Sequence, residues 1–285
     1  MLSISLSAGC GFFSCCNIYT NRVFEYFNNN KKLPEQIDST RMFYLYKSEN
    51  RQKDDIKHDY FDTLDALDIS YIEDVKITNE DDEDQFSNYQ KLNFEMVVPF
   101  IKKYFTPSQE IKNIINEMER KYNLVSSSYD NICVLFYRGN DKCIETNLPS
   151  YDEFIKRATE RKQQNPDIVF LIQSDETEFI ETMMDHFPNS LVFKDEIRHM
   201  SKRISSVDKE VSRDVNHIFS KFYLAITIIM SKCKYIISTT GNCSLWIILF
   251  RGHAQGVCQY LSRKKIIYGQ LNPCYKEVDE CWLGL

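Results

Sequence analysis

Three polar loops contain the residues whose types and spacing could bind a phosphate-bearing ligand and act on it. The first loop reads Gly9, Cys10, Gly11 and ends at Ser14. Glycines let a backbone approach a phosphate, and a helix that follows them presents its positive N-terminus to the anion. Ser14 stands where a dinucleotide-binding fingerprint has its third glycine, so the loop does not favour NAD. A tight strand-to-helix turn without any ligand explains the same residues.

The second loop, residues 138–142, carries two cations that could stabilise a diphosphate. Arg138 offers a planar fork of donors, and Lys142 adds a second positive charge. Asp141 either orients these cations or forms an ordinary loop salt bridge with Arg138. Glu145 follows shortly after the loop. It is a candidate general base for an acceptor hydroxyl, and capping of the next helix is the alternative.

The third loop, residues 238–244, is small and rich in hydroxyl groups. Such a turn between a strand and a helix can cradle a phosphate or a ribose, and it can also be no more than a capped helix start. We expect Thr239, Asn242 and Ser244 to contact the ligand. Asp175 follows another predicted strand, where it either bonds a base or ribose or caps the next helix.

These loops need a scaffold, and the hydrophobic pattern of the second half predicts one. Residues 132–137 form an unbroken apolar run of the kind that is buried in a parallel sheet. The further predicted elements are strands at 168–172, 191–193 and 235–238, and helices at 151–162, 176–186, 218–230 and 243–250. Strands that alternate with helices predict a parallel α/β sheet, whose carboxyl ends carry the ligand loops.

The first half has a less regular pattern. Its predicted elements are a strand at 3–7, extended segments at 31–38 and 42–46, and helices at 14–29, 100–105 and 110–122. The polar stretch 47–93 includes the acidic run 80–84, which is typical of a solvated loop. The serines at 126–128 favour a boundary there, between a half of residues 1–125 and a half of residues 126–285.

Composition excludes several classes of protein. The chain has 285 residues, 43% of them hydrophobic, and a formal net charge of −6. That is enough apolar material for one large domain or two smaller ones. A mildly acidic chain lacks the clustered Lys and Arg of a general nucleic-acid binder, so we expect no nucleic-acid partner. The ten cysteines contain no CxxC pair and no zinc spacing with histidine, so we interpret them as reduced thiols and expect no metal site.

No segment is typical of secretion or membrane insertion. The N-terminus lacks a charged region before its short apolar run, which breaks at Gly9. The apolar stretch 223–230 is far shorter than the roughly 20 residues that a membrane span requires. We therefore expect a cytoplasmic protein without a membrane span.

Taken together, the loops resemble those of the fucosyltransferase superfamily, of the α-1,6 and chitooligosaccharide type. In that family a Gly-Cys-Gly turn opens the catalytic region, and an Arg-Arg-x-Asp-Lys motif follows a later strand, as residues 9–11 and 138–142 do here. A Thr-Asp turn matches Ser174 and Asp175, and the order holds from about 131 to 249. The departures are Gly139 for the second arginine of the motif, Phe136 for a histidine and Ile226 for an aspartate.

The resemblance implies an α/β, GT-B-like fold of two Rossmann-like halves with parallel sheets. Residues 1–125 would form the acceptor side and residues 126–285 the donor site. It implies an inverting transfer of fucose from GDP-fucose to a glycan hydroxyl, without metal or any cofactor besides the GDP-sugar donor. The departures leave a second hypothesis open, a catalytically inactive relative that still binds a nucleotide sugar or a glycan.

The resemblance also implies a role for each site residue. Arg138 would hold the β-phosphate, Lys142 would assist, and Glu145 would be the base. Asp175 would contact guanine or ribose, and Asn242 would lie by the phosphates. The remaining predicted members of the nucleotide site are Gly9, Gly11 and Ser14.

Overall fold

Strands and helices alternate along most of the chain. The computed structural model describes residues 3–64, 69–79, 84–262 and 280–284. Its strands are β1 (Ser3–Ser7), β2 (Gln36–Arg41), β3 (Phe61–Asp62), β4 (Thr106–Pro107), β5 (Ile132–Tyr137), β6 (Val169–Ser174), β7 (Tyr235–Thr239), β8 (Val257–Ser262) and β9 (Glu280–Leu283). Its α-helices are α1 (Phe12–Asn30), α2 (Lys57–Tyr60), α3 (Phe94–Tyr104), α4 (Gln109–Lys121), α5 (Lys142–Glu145), α6 (Tyr151–Gln164), α7 (Thr177–His186), α8 (Arg213–Lys232) and α9 (Asn242–Arg251).

The main sheet has five strands in the order β6-β5-β7-β8-β9. The first four are parallel, and β9 runs antiparallel to β8. All six residues of β5 are buried, because helices cover both faces of a central parallel strand. The register places Phe136 opposite Gln173 on β6 and Ser238 on β7. These three side chains therefore leave the sheet on the same face.

The side chains of β5 alternate between two apolar clusters. Val134 and Phe136 belong to a large cluster that continues into the first half, where it includes Phe12 and Phe100. Leu135 belongs to a second cluster, together with side chains of α6 and α7. The larger cluster thus draws on both halves, and the division into 1–125 and 126–285 stays a prediction.

The first half has little sheet. Strands β1 and β2 pair in parallel, and the short strands β3 and β4 pair antiparallel. Aromatic rings fill much of the remaining interior. The ring of Phe12 lies 4.9 Å from that of Tyr60, and the ring of Phe105 lies 4.6 Å from that of Trp246 in the second half.

Two of the predicted extended segments are wrong and one is displaced. The segment 42–46 is not a strand, because Phe43 is left-handed (φ 55°) and leads into the 3-10 turn Tyr44–Tyr46. The segment 191–193 makes only a single parallel bridge, from Leu191 to Leu171 on β6. The segment 31–38 contributes strand only from Gln36 onward. A short apolar run does not distinguish a strand from a buried loop.

The polar stretch 47–93 is partly interior. Lys47 is buried, and its Nζ donates to the carbonyls of Thr40 (2.5 Å), Gln52 (3.2 Å) and Asp54 (2.5 Å). Lys57 is equally buried. Of the acidic run, residues 80–83 lie outside the described residues. The Asp84 carboxylate accepts bonds from the side-chain amides of Asn17 (3.1 Å) and Asn21 (2.6 Å).

Candidate functional site

A cavity of about 290 Å³ lies at the carboxyl ends of β5, β6 and β7. From β5 the chain continues to β6 on one side, and β7 pairs with the other side. Open α/β sheets bind ligands at such a switch point. The predicted site residues that line the cavity are Gly9, Gly11, Ser14, Arg138, Asp141, Lys142, Glu145, Asp175 and Asn242.

Thr239 and Ser244 do not line the cavity, and both are fully buried beside it. The Thr239 hydroxyl accepts a bond from the backbone N–H of Arg138 (3.1 Å). The Ser244 hydroxyl donates to the carbonyl of Thr239 (2.5 Å). Both residues therefore fix the backbone that carries Arg138, rather than reaching the cavity themselves.

Arg138 is held by two carboxylates. One terminal nitrogen of its guanidinium donates to Asp175, and the other donates to Asp141 at 2.6 Å. The salt bridge that the sequence offered as the alternative to ligand binding is thus present. It leaves the arginine side chain 21% exposed, at the cavity.

The Asp175 carboxylate is hydrogen-bonded to three successive residues of the turn after β5. It accepts bonds from the Gly139 N–H (2.8 Å) and from the Asn140 amide (3.1 Å), besides the Arg138 bond. Asn140 is left-handed (φ 49°). The alternative prediction, that Asp175 caps the next helix, is wrong, because Glu176 is the N-cap residue of α7.

The Glu176 side chain leaves no room for a side chain at position 139. A Cβ at position 139 would collide with the Glu176 side chain. That carboxylate is fully buried and accepts bonds from the Asn140 N–H (2.6 Å) and the Tyr151 hydroxyl (2.5 Å). The glycine in place of a second arginine is therefore coupled to a buried glutamate that fills the adjacent space.

The other two departures change the polarity of the cavity wall. Phe136 and Ile226 both line the cavity. Each is almost completely buried, so each presents only an apolar edge to the cavity.

Lys142 and Glu145 form an ion pair at the rim. Nζ of Lys142 donates to the Glu145 carboxylate (2.5 Å) and to the Gln85 side chain (2.9 Å). The lysine side chain is 7% exposed, whereas that of Glu145 is 44% exposed. Glu145 does not cap the next helix, because Ser150 caps α6 and its hydroxyl accepts from the Glu153 N–H. Glu145 is thus the member of the pair that solvent reaches.

Two helices begin at the cavity. The first residues of α1 and α9 are Phe12 and Asn242, and the Asn242 amide donates to the Ser14 hydroxyl at 3.0 Å. The first N–H groups of a helix have no acceptor inside the helix, and they carry its positive dipole end. Both glycine-containing loops therefore direct positive helix ends at one space.

No pattern in the sequence indicates the hydrogen-bond network that connects the halves. The Phe12 N–H donates to the Tyr46 hydroxyl (2.7 Å), which donates to the Asp208 carboxylate (2.8 Å). Arg198 donates to the other Asp208 oxygen. Burial, followed by the charge of Asp208, raises the pKa of Tyr46, so the phenol stays neutral and can both donate and accept. Residues separated by 162 positions cannot be paired from one sequence.

The charges that line the cavity are nearly balanced. The cationic side chains are those of Arg138, Lys142, Arg198 and Lys209. The carboxylates are those of Asp141, Glu145, Asp175, Glu196 and Asp208. Of these four cations, Arg138, Lys142 and Arg198 already have carboxylate partners, which an anionic ligand would have to share or displace.

The cysteines in the described ranges are free thiols, and Cys274 lies outside those ranges. Sγ of Cys10, at the cavity, lies 3.7 Å from Sγ of Cys15, and this contact lowers the pKa of Cys10. Within residues 3–64, 69–79, 84–262 and 280–284, no group of three or more His, Cys, Asp or Glu side chains is placed to hold a metal ion. No helix among the residues described here is long and apolar enough to cross a membrane.

Comparison with solved structures identifies the fold. The NodZ α-1,6-fucosyltransferase, in a crystal soaked with GDP-fucose, superposes with a TM-score of 0.53 over 91% of this chain and 94% of its own, at 9% sequence identity. The chain has the fold of a fucosyltransferase. This confirms the predicted α/β, GT-B-like class with Rossmann-like parallel sheets.

Other solved structures overlap less with this fucosyltransferase-like chain. NodZ co-crystallised with GDP matches 58% of this chain and 48% of its own, with a TM-score of 0.34 and 8% identity. POFUT1 in its apo form matches 56% and 48%, with a TM-score of 0.35 and 11% identity. No protein-family model and no curated protein sequence matches the chain.

Proposed function

We propose that the chain is a glycosyltransferase that transfers a sugar, fucose, from a GDP-sugar to a glycan hydroxyl by metal-independent inverting displacement. One observation carries the proposal. Arg138, at the carboxyl end of the central strand β5, shares a cavity with the N-termini of α1 and α9. That combination suits a departing diphosphate, because fixed positive groups stabilise charge that develops in the transition state.

The proposed chemistry needs one bond to break and one to form. The acceptor oxygen attacks the anomeric carbon from the face opposite GDP, and the bond from that carbon to the β-phosphate oxygen breaks. The electron pair of the broken bond goes to the diphosphate, where Arg138, Lys142 and the helix N–H groups stabilise it. The acceptor proton goes to the carboxylate of Glu145, which is the solvent-accessible partner of Lys142.

A second candidate function rests on the pairing of Arg138. Both terminal nitrogens of the guanidinium already hold carboxylates, those of Asp175 and Asp141. A phosphate must then share or displace these partners. This favours, as the alternative, a catalytically inactive relative that binds a nucleotide sugar or glycan without turnover. The glycan acceptor and the cytoplasmic location stay predictions.

The first experiment is a thermal-shift titration with GDP, GDP-fucose, GDP-mannose, UDP-glucose and NAD, with and without EDTA. We expect stabilisation by GDP and GDP-fucose that persists in EDTA, followed by transfer of labelled fucose in an acceptor screen. Binding without transfer for every acceptor would favour the inactive relative. No shift with any GDP compound would contradict the transferase, and of the second candidate it would leave only a relative that binds a glycan.

Arg138→Ala tests the residue that carries the proposal. Loss of a group that stabilises the leaving diphosphate lowers kcat by about 10²–10³-fold. Arg138→Lys keeps the charge but loses the planar fork, so we expect it to recover only part of the rate. Arg22→Ala, at an arginine side chain 61% exposed on α1, is the matched control. Transfer at the wild-type rate by a folded Arg138→Ala protein contradicts the proposed role.

A further inference from the structure

Gln173 is a buried polar side chain that the proposed mechanism does not use. It is the penultimate residue of β6, is 4% exposed and lines the cavity. Its Oε1 is buried and has no hydrogen-bond partner among the residues that the structure describes. An unpaired amide in an interior is unfavourable unless a ligand or water satisfies it.

The position of Gln173 on the sheet points its amide to the ligand side. Alternate residues of β6 enter different clusters, and Leu171 belongs to the larger one, which lies on the face of Phe136. Gln173 is two residues further along and opposite Phe136 in the register. On this face of β6, apolar Leu171 is therefore followed by polar Gln173, at the point where the cavity begins.

The groups proposed to hold the diphosphate begin at the carboxyl ends of β5 and β7. Arg138 follows β5, and Asn242 follows β7, the strand on the opposite side of β5 from β6. Gln173 lies one strand outward, and the apolar side chains of Phe136 and Ile197 line the same cavity. If the phosphates lie at the ends of β5 and β7, the part of the cavity beside β6 is left for the flat base of the nucleotide.

We propose that Gln173 reads the base of the donor nucleotide. This rests on the proposed function, because it requires a nucleoside diphosphate in the cavity. The amide oxygen accepts a bond from guanine N1–H, and the amide nitrogen donates to guanine O6. If the terminal amide rotates by 180°, it can pair with adenine instead: its oxygen accepts from the exocyclic amine and its nitrogen donates to N1. A glutamate at this position would pair only with guanine, because its two oxygens accept from N1–H and the 2-amino group.

Two substitutions at Gln173 test the assignment through the dissociation constants of GDP and ADP, measured by calorimetry on the full chain. Gln173→Leu removes the bonds and should weaken GDP binding by about tenfold. It should not lower the melting temperature without ligand, since it replaces an unpaired buried amide by an apolar group. Gln173→Glu should keep GDP binding and raise the preference for GDP over ADP by about tenfold. Gln163→Leu, at an exposed glutamine of α6, is the matched control.

The outcomes separate this inference from the function on which it rests. A wild-type protein that does not bind GDP overturns the proposed function and this inference with it. A wild-type protein that binds GDP, with a Gln173→Leu variant of equal affinity, overturns the base assignment alone. Equal weakening of GDP and ADP by Gln173→Glu also overturns it, because that result places the side chain beside the phosphates.

Discussion

The two halves of the chain position the cavity in different ways. In the second half, Arg138, Asp175 and Asn242 each follow a strand of the main sheet. In the first half, the contributions are the glycine loop at the start of α1, Leu45 and Tyr46 of a 3-10 turn, and Gln85. The sheet therefore fixes the geometry of the site, while tertiary contacts of irregular segments complete its wall.

The largest expected contrast compares one glycine from each half. Gly139→Ala introduces a Cβ that collides with the buried Glu176 carboxylate, and forced overpacking of this kind costs about 3 kcal/mol. Gly11→Ala meets nothing closer than 3.9 Å at an ordinary φ of −58°, so we expect a change within about 0.5 kcal/mol. Urea denaturation measures both.

Gly9 adds a control that separates folding from binding. A Cβ at Gly9 would meet no atom of the described residues within 4 Å, so Gly9→Ala should leave stability unchanged. If the glycine loop holds the nucleotide, the same variant should bind GDP more weakly. Equal losses of stability at Gly139 and Gly11 would contradict the view that the site is packed more tightly around Gly139 than around Gly11.

The same contrast explains what the sequence could predict. In the second half, β5, β6 and β7 were predicted well, because six apolar residues in a row leave few alternatives for β5, and loops after strands converge at one sheet edge. Strands β8 and β9 were not predicted. All site residues proposed there lie in or next to the cavity. The first half was predicted poorly beyond β1, α1, α3 and α4, because its irregular segments are defined by contacts distant in sequence. Burial of Lys47 depends on three carbonyls that only the folded loop brings together.

The second prediction concerns the buried lysines of the first half. Burial lowers the pKa of Lys57 to about 8 from 10.5. Below pH 8 the lysine is charged in both the folded and unfolded states. Folding then carries the whole free-energy cost of removing the ammonium group from water. Between pH 8 and 10.5 the folded state loses the proton first, so this contribution to stability rises with pH. Lys57→Met should therefore raise the free energy of unfolding by about 2 kcal/mol at pH 7, and remove that part of the pH dependence.

Two lysines provide the controls for this prediction. Lys32→Met, at an exposed site, should change neither stability nor its pH dependence. Lys47→Met should destabilise the protein, because it leaves three carbonyls without their donor. Nζ of Lys57, in contrast, donates to the Thr63 hydroxyl. If Lys57→Met is less stable than the wild type at pH 7, the ammonium group of Lys57 stabilises the first half, as we expect for that of Lys47.

The smallest expected effect lies where the halves meet. The Asn242 amide at the start of α9 donates to the Ser14 hydroxyl in the first turn of α1. A double-mutant cycle with Ser14→Ala and Asn242→Ala should give a coupling of about 1 kcal/mol in the free energy of unfolding, which is the usual value of one partly buried hydrogen bond. If the two helix ends hold one diphosphate, the cycle repeated on GDP affinity should also depart from additivity. Additivity in stability would show that the halves approach each other here without this bond contributing. Coupling in stability but not in GDP affinity would show that the bond holds the wall together without orienting the helix ends toward the ligand.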